Sequence, residues 1–509
     1  MTLRQKVGQV FIWTYSGTQL SPIMQSWLER YQPGALIVFS HNIQSPKQIA
    51  AFNSQLQRLA SFKMKAPLFL MIDQEGGVVT RLKTSVALPS ALAVGKMGDV
   101  EFIQKFGKAN ASVLHDVGFN LDLAPVLDIS DPNKDSFIGN RAFGNDPENV
   151  AKITSAYSAG VAEGGMIPTA KHFPGHGGVV QDSHHTIPRK LATYDELEDR
   201  DLVPFQEFAD SEFPRAMIVA HLALPNVDPS GVPATFSKVL IQDHLRGDMQ
   251  FDGLVITDDL EMGGASVEGD IGERAIKAFL AGDDMLMVAG PPQHQRRAFD
   301  AILNAVTAGK ITEARLNESV GRILNYKSEL KIGPFTYDDK KTHEDIAALE
   351  TMSRQVLRKN FRLSMAGKTA SWPDVTPNTE ALVFSADRFF YESFKEGFAG
   401  QASFYQLTPD TLERAERLIA SPKFHFVVFY ASGAQTAHWL AHLPEGLRRK
   451  VIVVNVNNSG ELEEQKSFMS VLNINSRNPE AGFSLGEAMS SPDFRQPAGA
   501  TSAGTPSPH

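Results

Sequence analysis

The stretch GLVITDD, residues 253–259, is a short apolar run that ends at two adjacent carboxylates. Its apolar residues are continuous rather than alternating, which is typical of a strand buried on both faces of a parallel sheet. Runs of the same kind recur along the first part of the chain, and most of them are followed by a helical pattern. They occupy residues 8–15, 34–40, 67–73, 121–129, 167–173, 215–221 and 284–290.

Capping signals between these runs mark the intervening helices. Ser45 and Asp146 each precede a proline, and an N-cap side chain followed by a first-turn proline is a common way for a helix to begin. A third helix is expected to begin at Ser237 and to close at Gly247. Glycines that fit helix C-termini are Gly118, Gly164 and Gly282. Strands alternating with helices in this way predict an α/β fold, a (β/α)₈ TIM barrel, with a doubly wound open sheet as the alternative.

The pattern changes after the last of these runs. Three further strand candidates lie at 380–386, 425–432 and 450–457, with helical stretches between them, and they predict a smaller α/β sandwich domain. The end of the chain is rich in Pro, Ser, Ala and Gly, a composition typical of disorder. The predicted organisation is a barrel over 1–335, a linker and helix over 336–365, a C-terminal α/β domain over 366–489 and a disordered tail over 490–509.

The composition excludes several classes of function. The 509 residues are 42% hydrophobic and carry a net charge of −9 without a basic block, which argues against nucleic acid or an anionic membrane as a partner. The absence of cysteine excludes disulfides, thiolate zinc sites and cysteine nucleophiles. No signal segment or membrane-length apolar run is evident, so a cytoplasmic protein is expected, with an exported or periplasmic one as the alternative if the N-terminus is processed.

Polar side chains cluster where the apolar runs end. In a barrel, the C-terminal ends of the strands form the active-site face, so these groups are expected to converge although they are far apart in the sequence. They are Asp73, Asp128, Lys171, His172, His221, Asp258 and Asp259. Because Asp258 and Asp259 are adjacent, only one of them can face the barrel mouth. That carboxylate is a candidate nucleophile or cation partner, and a helix N-cap is the structural alternative.

Two further segments bring acids and arginines to the same face. MIDQEGGVVTRL, residues 71–82, contains Asp73, Glu75 and Arg81, and the loop at 138–147 adds Arg141. Carboxylate and guanidinium groups in a barrel mouth suit bidentate contacts with sugar hydroxyls, carboxylates or phosphates, and the glycines permit close approach of a ligand to the backbone. A structural ion pair on a loop is the alternative interpretation.

The segment KHFPGHGGVVQDSHH, residues 171–185, concentrates four of the fourteen histidines. Asp182 and His184 are two residues apart, so on extended backbone their side chains share a face, and a carboxylate held against an imidazole makes a proton donor and acceptor usable near neutral pH. Two other interpretations stay open, a solvated loop and a metal site. The metal ligands would be His172, His176, Asp182, His184 and His185, although their spacing matches no helical metal motif.

Taken together, these motifs resemble the glycoside hydrolase family 3 β-N-acetylglucosaminidases of bacterial cell-wall turnover. That family's loop reads K-H-F-P-G-H-G-D-T-x-x-D-S-H, and here only Gly178 and Val179 depart from it, in place of the D-T pair. The other matching motifs are MTLRQKVGQVF, IDQEGGVVTR, APVLDI, NRAFGNDP and VITDDLEM, which occur in the family's order within about residues 1–335. The departure at Gly178-Val179 puts the conformation of this loop, but not the catalytic residues, in question.

The resemblance implies a TIM barrel and a retaining, two-step hydrolysis that needs no metal or organic cofactor. By matching positions, Asp258 is the nucleophile, His184 is the general acid and then the general base, and Asp182 is the dyad partner of His184. The residues implied to hold the N-acetylglucosamine are Asp73, Arg81, Arg141, Lys171 and His172. The second domain is expected not to complete the site.

The expected activity is therefore exo-hydrolysis of terminal, non-reducing β-linked GlcNAc from peptidoglycan-derived muropeptides or related oligosaccharides. The expected partner is a GlcNAc-containing saccharide, with no nucleic acid and no membrane. The alternatives are a family 3 glycosidase or phosphorylase with another sugar or acceptor preference, a metal-dependent hydrolase that uses the histidine-rich loop, and a glycan-binding module without turnover. The sequence indicates neither the oligomeric state nor the role of the second domain.

Overall fold

In a computed structural model, the chain divides into two compact units, residues 1–352 and 353–509. The structure describes residues 1–86, 88–131, 136–179, 183, 187–360, 362–364, 375–385, 390–391, 394–395, 398–406, 408–431, 439–440, 443–455, 470–473 and 485.

Within the described residues of the first unit, eight parallel strands pair in the order β10-β1-β2-β3-β6-β7-β8-β9. A parallel bridge between Ile256 and Met285 joins the two ends of this order, so the sheet closes on itself. The strands are β1 Phe11–Trp13, β2 Ala35–Val38, β3 Phe69–Ile72, β6 Leu121–Asp122, β7 Ile167–Phe173, β8 Ala216–Val219, β9 Leu254–Thr257 and β10 Leu286–Val288. The TIM barrel is confirmed, and the open doubly wound sheet is wrong.

Each predicted apolar run contains one of these strands, because burial on both faces favours apolar side chains throughout. Every residue of β7 and of β9 is buried, although β7 includes Lys171 and His172. The run at 121–129 is only partly a strand: β6 ends at Asp122, and a single bridge joins Val126 to Lys171. Pro125 lies between them and has no amide hydrogen to donate to a neighbouring strand.

Helices alternate with the strands and surround them. They are α1 Leu3–Gln9, α2 Pro22–Tyr31, α3 Pro46–Lys63, α4 Ala91–Gly95, α5 Val100–Asp116, α6 Pro147–Glu163, α7 Tyr194–Glu196, α8 Val203–Ala209, α9 Ile271–Ala281, α10 Pro292–Thr307, α11 Glu313–Glu329 and α12 Asp339–Asn360. The 3₁₀ turns are Ser40–Asn42, Gly139–Arg141, Ala234–Phe236 and Gly263–Glu268, and the π-helical segments are Leu197–Asp201 and Val239–Asp248. No helix among the described residues has the length and apolarity required to cross a bilayer.

The capping predictions are confirmed with one adjustment. Ser45 and Asp146 accept hydrogen bonds from the backbone amides of Gln48 and Asn149 at the start of α3 and α6. Ser237 also caps a helical segment, since its hydroxyl accepts from the Leu240 amide. That segment, Val239–Asp248, is a π-helix and continues one residue beyond the predicted end. The predicted C-terminal glycines, Gly118, Gly164 and Gly282, all lie directly at or after a helix end.

A small hairpin extends from the C-terminal end of β3 and carries part of the candidate site. Its strands are β4 Gln74–Gly76 and β5 Val79–Thr80. The Gln74 side chain donates to the Leu82 carbonyl at 2.8 Å and accepts from the amides of Arg81 and Leu82, which fixes the base of the hairpin. Gly76 has φ +94° and packs against the Pro89 carbonyl. The positive φ and this close approach to the backbone account for a glycine at position 76.

The second unit contains a mixed sheet with strand order β11-β16-β15-β14-β12-β13 in its described part. The strands are β11 Arg362–Ser364, β12 Glu380–Ser385, β13 Gln401–Gln406, β14 Phe426–Ala431, β15 Val451–Asn455 and β16 Ser470–Asn473, with helices α13 Pro409–Ala420 and α14 Glu445–Arg448. Alternate residues of β12 enter two different apolar clusters, so both faces of the sheet are covered, as predicted for an α/β sandwich.

Sequence reasoning found β12, β14 and β15 but missed the other three strands of this sheet. β13 is an edge strand whose residues are only half-buried or exposed, and it therefore lacks the continuous apolar run used for prediction. The predicted disordered tail, residues 490–509, lies outside the described residues.

Candidate active site

Strand ends bring the predicted polar residues together at one face of the barrel. The Lys171 ammonium donates to Asp73 Oδ1 at 3.0 Å, which joins the end of β7 to the end of β3. Arg81 lies 3.5 Å from Asp73 Oδ2, so the Asp73 carboxylate has a cation at each oxygen. The Lys171 side chain is only 4% exposed, whereas Asp73 is 15% exposed. Asp73 therefore presents a preorganised acceptor that a ligand hydroxyl can reach.

Glu75 is a site residue to which sequence reasoning gave no role of its own. Its carboxylate receives two parallel hydrogen bonds from Arg141, both at 2.8 Å, and an ion pair from Lys171 at 2.6 Å. Burial raises the pKa of Glu75, but Arg141 and Lys171 outweigh this effect and hold the pKa well below its usual range. The structural ion pair considered as an alternative for this segment is thus present, and it also orients two predicted sugar ligands.

The Glu75–Arg141 pair had no sequence signal, because the two residues are 66 positions apart. The segment at 71–82 and the loop at 138–147 each contain charged residues. The expected convergence of strand ends indicated that the two segments approach each other, but not which of their residues pair. Arg141 lies in a short helical turn, Gly139–Arg141, and its guanidinium also approaches His172 Nε2 at 3.5 Å.

Asp128 organises the histidines at the start of the KHFPGHG motif. Its Oδ2 lies 2.6 Å from His172 Nδ1, and its oxygens also accept from the backbone amides of His172 and His176. Because a carboxylate only accepts, the proton between the two side chains is on Nδ1 of His172, which leaves Nε2 directed towards the site. Burial raises the pKa of Asp128, but the electrostatic influence of His172 and His176 lowers it by a larger amount. The net pKa is below the ordinary value, so Asp128 remains ionised.

His176 lies behind His172 in the wall of the site. Its ring contacts Phe137 at 5.5 Å and meets the edge of the His172 ring at 6.0 Å. The residue is 1% exposed, and neither ring nitrogen has a hydrogen-bond partner among the described residues. The described residues contain no group of three His, Cys, Asp or Glu side chains arranged to hold a metal ion.

The remaining histidine-loop residues cannot be placed in this geometry. Asp182, His184 and His185 lie outside the described residues, so neither the Asp182–His184 pair nor the five-ligand metal interpretation is tested. The described start of the loop is anchored, since Lys190 donates to the carbonyls of Gly175 and Gly177 at 3.1 and 3.2 Å.

The two residues that depart from the family motif have opposite environments. Gly178 has φ +75° and, its chain neighbours aside, no other described residue has an atom within 4 Å of the point where a side chain would begin. Val179 is buried in an apolar cluster with Leu127 and Phe173. Val179 therefore packs the start of the loop against apolar side chains of the barrel. The family motif has threonine at this position.

Asp258 and Asp259 have the different environments expected for adjacent residues on extended backbone. Burial raises the pKa of Asp258, but the electrostatic influence of His172, His221 and Lys171 lowers it below the ordinary value. The net effect is a lowered pKa, so Asp258 is ionised.

Asp259 instead holds the backbone beyond β9. Its Oδ1 accepts from the amides of Ala289 and Glu261 at 3.0 and 3.1 Å, which joins the segment after β9 to the segment after β10. The helix N-cap considered for this motif is wrong, because Met262 is the N-cap residue of the next helical turn, Gly263–Glu268. Burial raises the pKa of Asp259 to about 6.

This geometry can be compared with known proteins. Residues 2–326 match the family described as the glycosyl hydrolase family 3 N-terminal domain. The chain belongs to glycoside hydrolase family 3. The family 3 match covers the whole barrel and every predicted site residue, and it agrees with the resemblance found in the motifs.

Curated relatives and a solved structure that resemble this chain carry names consistent with the family. The chain is 36% identical over 309 residues to a β-hexosaminidase of Pseudomonas aeruginosa strain LESB58, which covers 60% of this chain and 89% of that protein. It is 34% identical over 314 residues to a β-hexosaminidase of Idiomarina loihiensis, with 61% and 90% covered. A solved family 3 β-N-acetylglucosaminidase from Paenibacillus sp. str. FPU-7 has a TM-score of 0.82 and 28% identity, and the match covers 96% of this chain and 97% of that one.

Proposed function

We propose that this family 3 glycoside hydrolase is a retaining exo-β-N-acetylhexosaminidase that removes terminal β-linked GlcNAc. The observation that carries the proposal is the position of Asp258 directly after β9, at the barrel face where Lys171 meets Asp73, with His172, His221 and Lys171 lowering its pKa. A half-buried carboxylate kept in its charged form suits a glycosidase nucleophile. The names of the hexosaminidase relatives support GlcNAc as the sugar.

In the first step, a carboxylate oxygen of Asp258 attacks the anomeric carbon of the sugar. The bond from that carbon to the aglycone oxygen breaks, and its electron pair leaves with the oxygen, which takes a proton from His184. The product is a glycosyl ester of Asp258 and a free aglycone with a hydroxyl group. His184 and its partner Asp182 enter this step through the family motif.

In the second step, water attacks the same anomeric carbon. His184 takes a proton from the water, and the bond between the sugar and Asp258 breaks to regenerate the carboxylate. Two displacements at one carbon restore the original anomeric configuration. The steps balance without an added oxidant, reductant or metal.

The sugar is held by the charged groups on β3, β7 and the loop that follows β6. Asp73 accepts hydrogen bonds from sugar hydroxyls, Arg81, Arg141 and Lys171 donate, and Nε2 of His172 accepts. Glu75 keeps Arg141 and Lys171 in place, and Asp128 keeps His172 in place. Preorganised donors of this kind add to catalysis because they do not need to reorient when charge develops on the sugar.

The natural substrates that we propose are peptidoglycan-derived muropeptides or related oligosaccharides, in cell-wall turnover within the cytoplasm. The direct test compares hydrolysis of an aryl β-GlcNAc with that of an aryl β-glucoside, each with and without phosphate. We expect the GlcNAc compound to be hydrolysed faster and phosphate to have no effect on its rate. Preference for the glucoside, or release of sugar 1-phosphate, would identify the enzyme as a different family 3 glycosidase or as a phosphorylase.

His184→Ala is expected to impair substrates in proportion to their need for a proton on the leaving group. For a GlcNAc disaccharide, kcat/KM should fall by about 100- to 10,000-fold, the usual contribution of general acid catalysis. An aryl glycoside with an acidic phenol should lose less, because its leaving group departs without protonation. Steady-state kinetics on both substrates measure the difference.

The neighbouring residue provides the control for this variant. His185 follows the motif directly and has no assigned role, so His185→Ala should affect both substrates equally and weakly. An equal loss on disaccharide and aryl glycoside in His184→Ala would contradict the role of His184 as the acid.

A further inference from the structure

We propose that His221 is a positioning residue that fixes the backbone next to the Asp258 nucleophile and thereby directs one carboxylate oxygen at the sugar. The inference rests on the proposed function, because it assigns His221 to the formation of the glycosyl-enzyme. It was recognised in the sequence only as one of several polar residues at strand ends.

His221 follows the C-terminal end of β8 and is fully buried. Its Nε2 lies 3.0 Å from the backbone carbonyl oxygen of Asp259. Its Nδ1 lies 2.9 Å from the hydroxyl of Thr235, and its ring is stacked on Phe236 with a centroid distance of 6.1 Å. The imidazole is thus held on one side by the helical turn Ala234–Phe236 and bonds on the other side to the segment that follows β9.

The chemistry of the partners determines the proton on Nε2. A carbonyl oxygen can only accept, so Nε2 carries a hydrogen and donates it to Asp259. Thr235 is fixed as well, because its hydroxyl lies within 3.1 Å of the carbonyl oxygens of Val219 and Ala220. The ring therefore has one orientation in which both nitrogens meet suitable partners.

The Asp259 residue transmits this constraint to the nucleophile. The Asp259 backbone amide donates to Asp258 Oδ1 at 2.8 Å, while the carbonyl of the same residue accepts from His221. Oδ1 of Asp258 is thereby occupied, and Oδ2 is the oxygen left to attack the anomeric carbon. The same carbonyl also accepts from the Met262 amide at 2.9 Å, so loss of the His221 contact removes one of the two hydrogen bonds to this oxygen and leaves the angle at which Oδ2 approaches the sugar less tightly fixed.

Two substitutions of His221 distinguish a donor at the position of Nε2 from a donor at the position of Nδ1. The amide of His221→Gln extends as far as Nε2 and can still donate to Asp259, whereas the amide of His221→Asn reaches only the position of Nδ1. On an aryl β-GlcNAc, His221→Asn should lower kcat by about 100-fold, the loss typical of a misplaced reacting group. His221→Gln should recover at least about 10-fold of that loss.

The split between kcat and KM distinguishes positioning from a general structural role. His221 contacts Asp259 and Thr235, whereas the proposed sugar ligands Asp73 and Lys171 are held by each other and by Glu75. KM should therefore stay within about threefold of the wild-type value in both variants. Equal kcat values for the Asn and Gln variants, or a wild-type kcat in His221→Asn, would overturn the inference. If the wild-type enzyme does not hydrolyse aryl β-GlcNAc, the proposed function itself fails, which is a separate result.

A second pair of variants tests the same contact if the His221 variants do not fold. Thr235→Val removes the partner of Nδ1 and frees the ring, whereas Thr235→Ser keeps a hydroxyl at the same position. We expect Thr235→Val to lower kcat by about 10-fold at unchanged KM and Thr235→Ser to retain activity. An unchanged kcat in a folded Thr235→Val protein would overturn the positioning role.

Discussion

Asp258→Asn is expected to abolish measurable turnover, with a fall in kcat of at least about 10⁴-fold on an aryl β-GlcNAc. An amide oxygen is a poor nucleophile, and the variant cannot form the carboxylic ester that the retaining mechanism requires. Asn has nearly the same shape as Asp and can still accept the Asp259 amide at Oδ1, so the fold should be kept. The loss is measured by steady-state kinetics, with circular dichroism to verify the fold.

The adjacent acid is the matched control for this substitution. Asp259→Asn also removes a carboxylate from the same motif, but its oxygen can still accept from the amides of Ala289 and Glu261. We expect this variant to retain at least about a tenth of wild-type kcat. A loss in Asp259→Asn as large as that in Asp258→Asn, or substantial activity in Asp258→Asn, would contradict the assignment of the nucleophile.

Glu75→Ala is expected to have the largest effect on stability. It would leave Arg141 and Lys171 without their shared carboxylate, and the side chains of both cations are mostly buried, at 15% and 4% exposed. Removal of one partner from a buried ion pair typically lowers the free energy of unfolding by about 3–5 kcal/mol. KM for the sugar should rise as well, because both cations are predicted sugar ligands. Urea unfolding and steady-state kinetics measure the two effects.

An ion pair between two exposed side chains supplies the comparison. Arg296 lies 3.3 Å from Asp300, and the two side chains are 59% and 42% exposed. Asp300→Ala should change the free energy of unfolding by only about 0–1 kcal/mol, since water replaces the lost partner. Similar changes in unfolding energy for the Glu75 and Asp300 variants would show that burial of the site pair does not add to its contribution.

Local signals were sufficient for the strands of the barrel and for several helix ends. The runs around β7 and β9 could be recognised because burial on both faces requires apolar residues in sequence, and Ser45 and Asp146 because a cap bonds to amides only three residues away. Prediction was weaker for β6, where Pro125 interrupts the strand, and for β13, where an exposed sheet edge imposes no apolar pattern.

In the candidate site, too, local features could be predicted from the sequence and contacts between distant residues could not. The sequence indicated which residue types stand at the strand ends, and the family motifs assigned roles to Asp258, Asp73 and Lys171. It did not indicate that Glu75 joins Arg141 to Lys171 or that Asp128 orients His172. These partners come from different strands and loops, and their separation along the chain carries no information about their distance in space.

The amino-acid sequence by itself thus specified a barrel, its order of strands and the chemical character of its mouth, because periodicity, capping and motif spacing act over a few residues. Closure of the barrel determined which charged side chains pair with each other. Its curvature brings the ends of β3, β7, β8 and β9 to one face, where burial removes water and makes each pairing strong. The orientation of His221 towards Asp259, and of Asp259 towards Asp258, exists only after that closure.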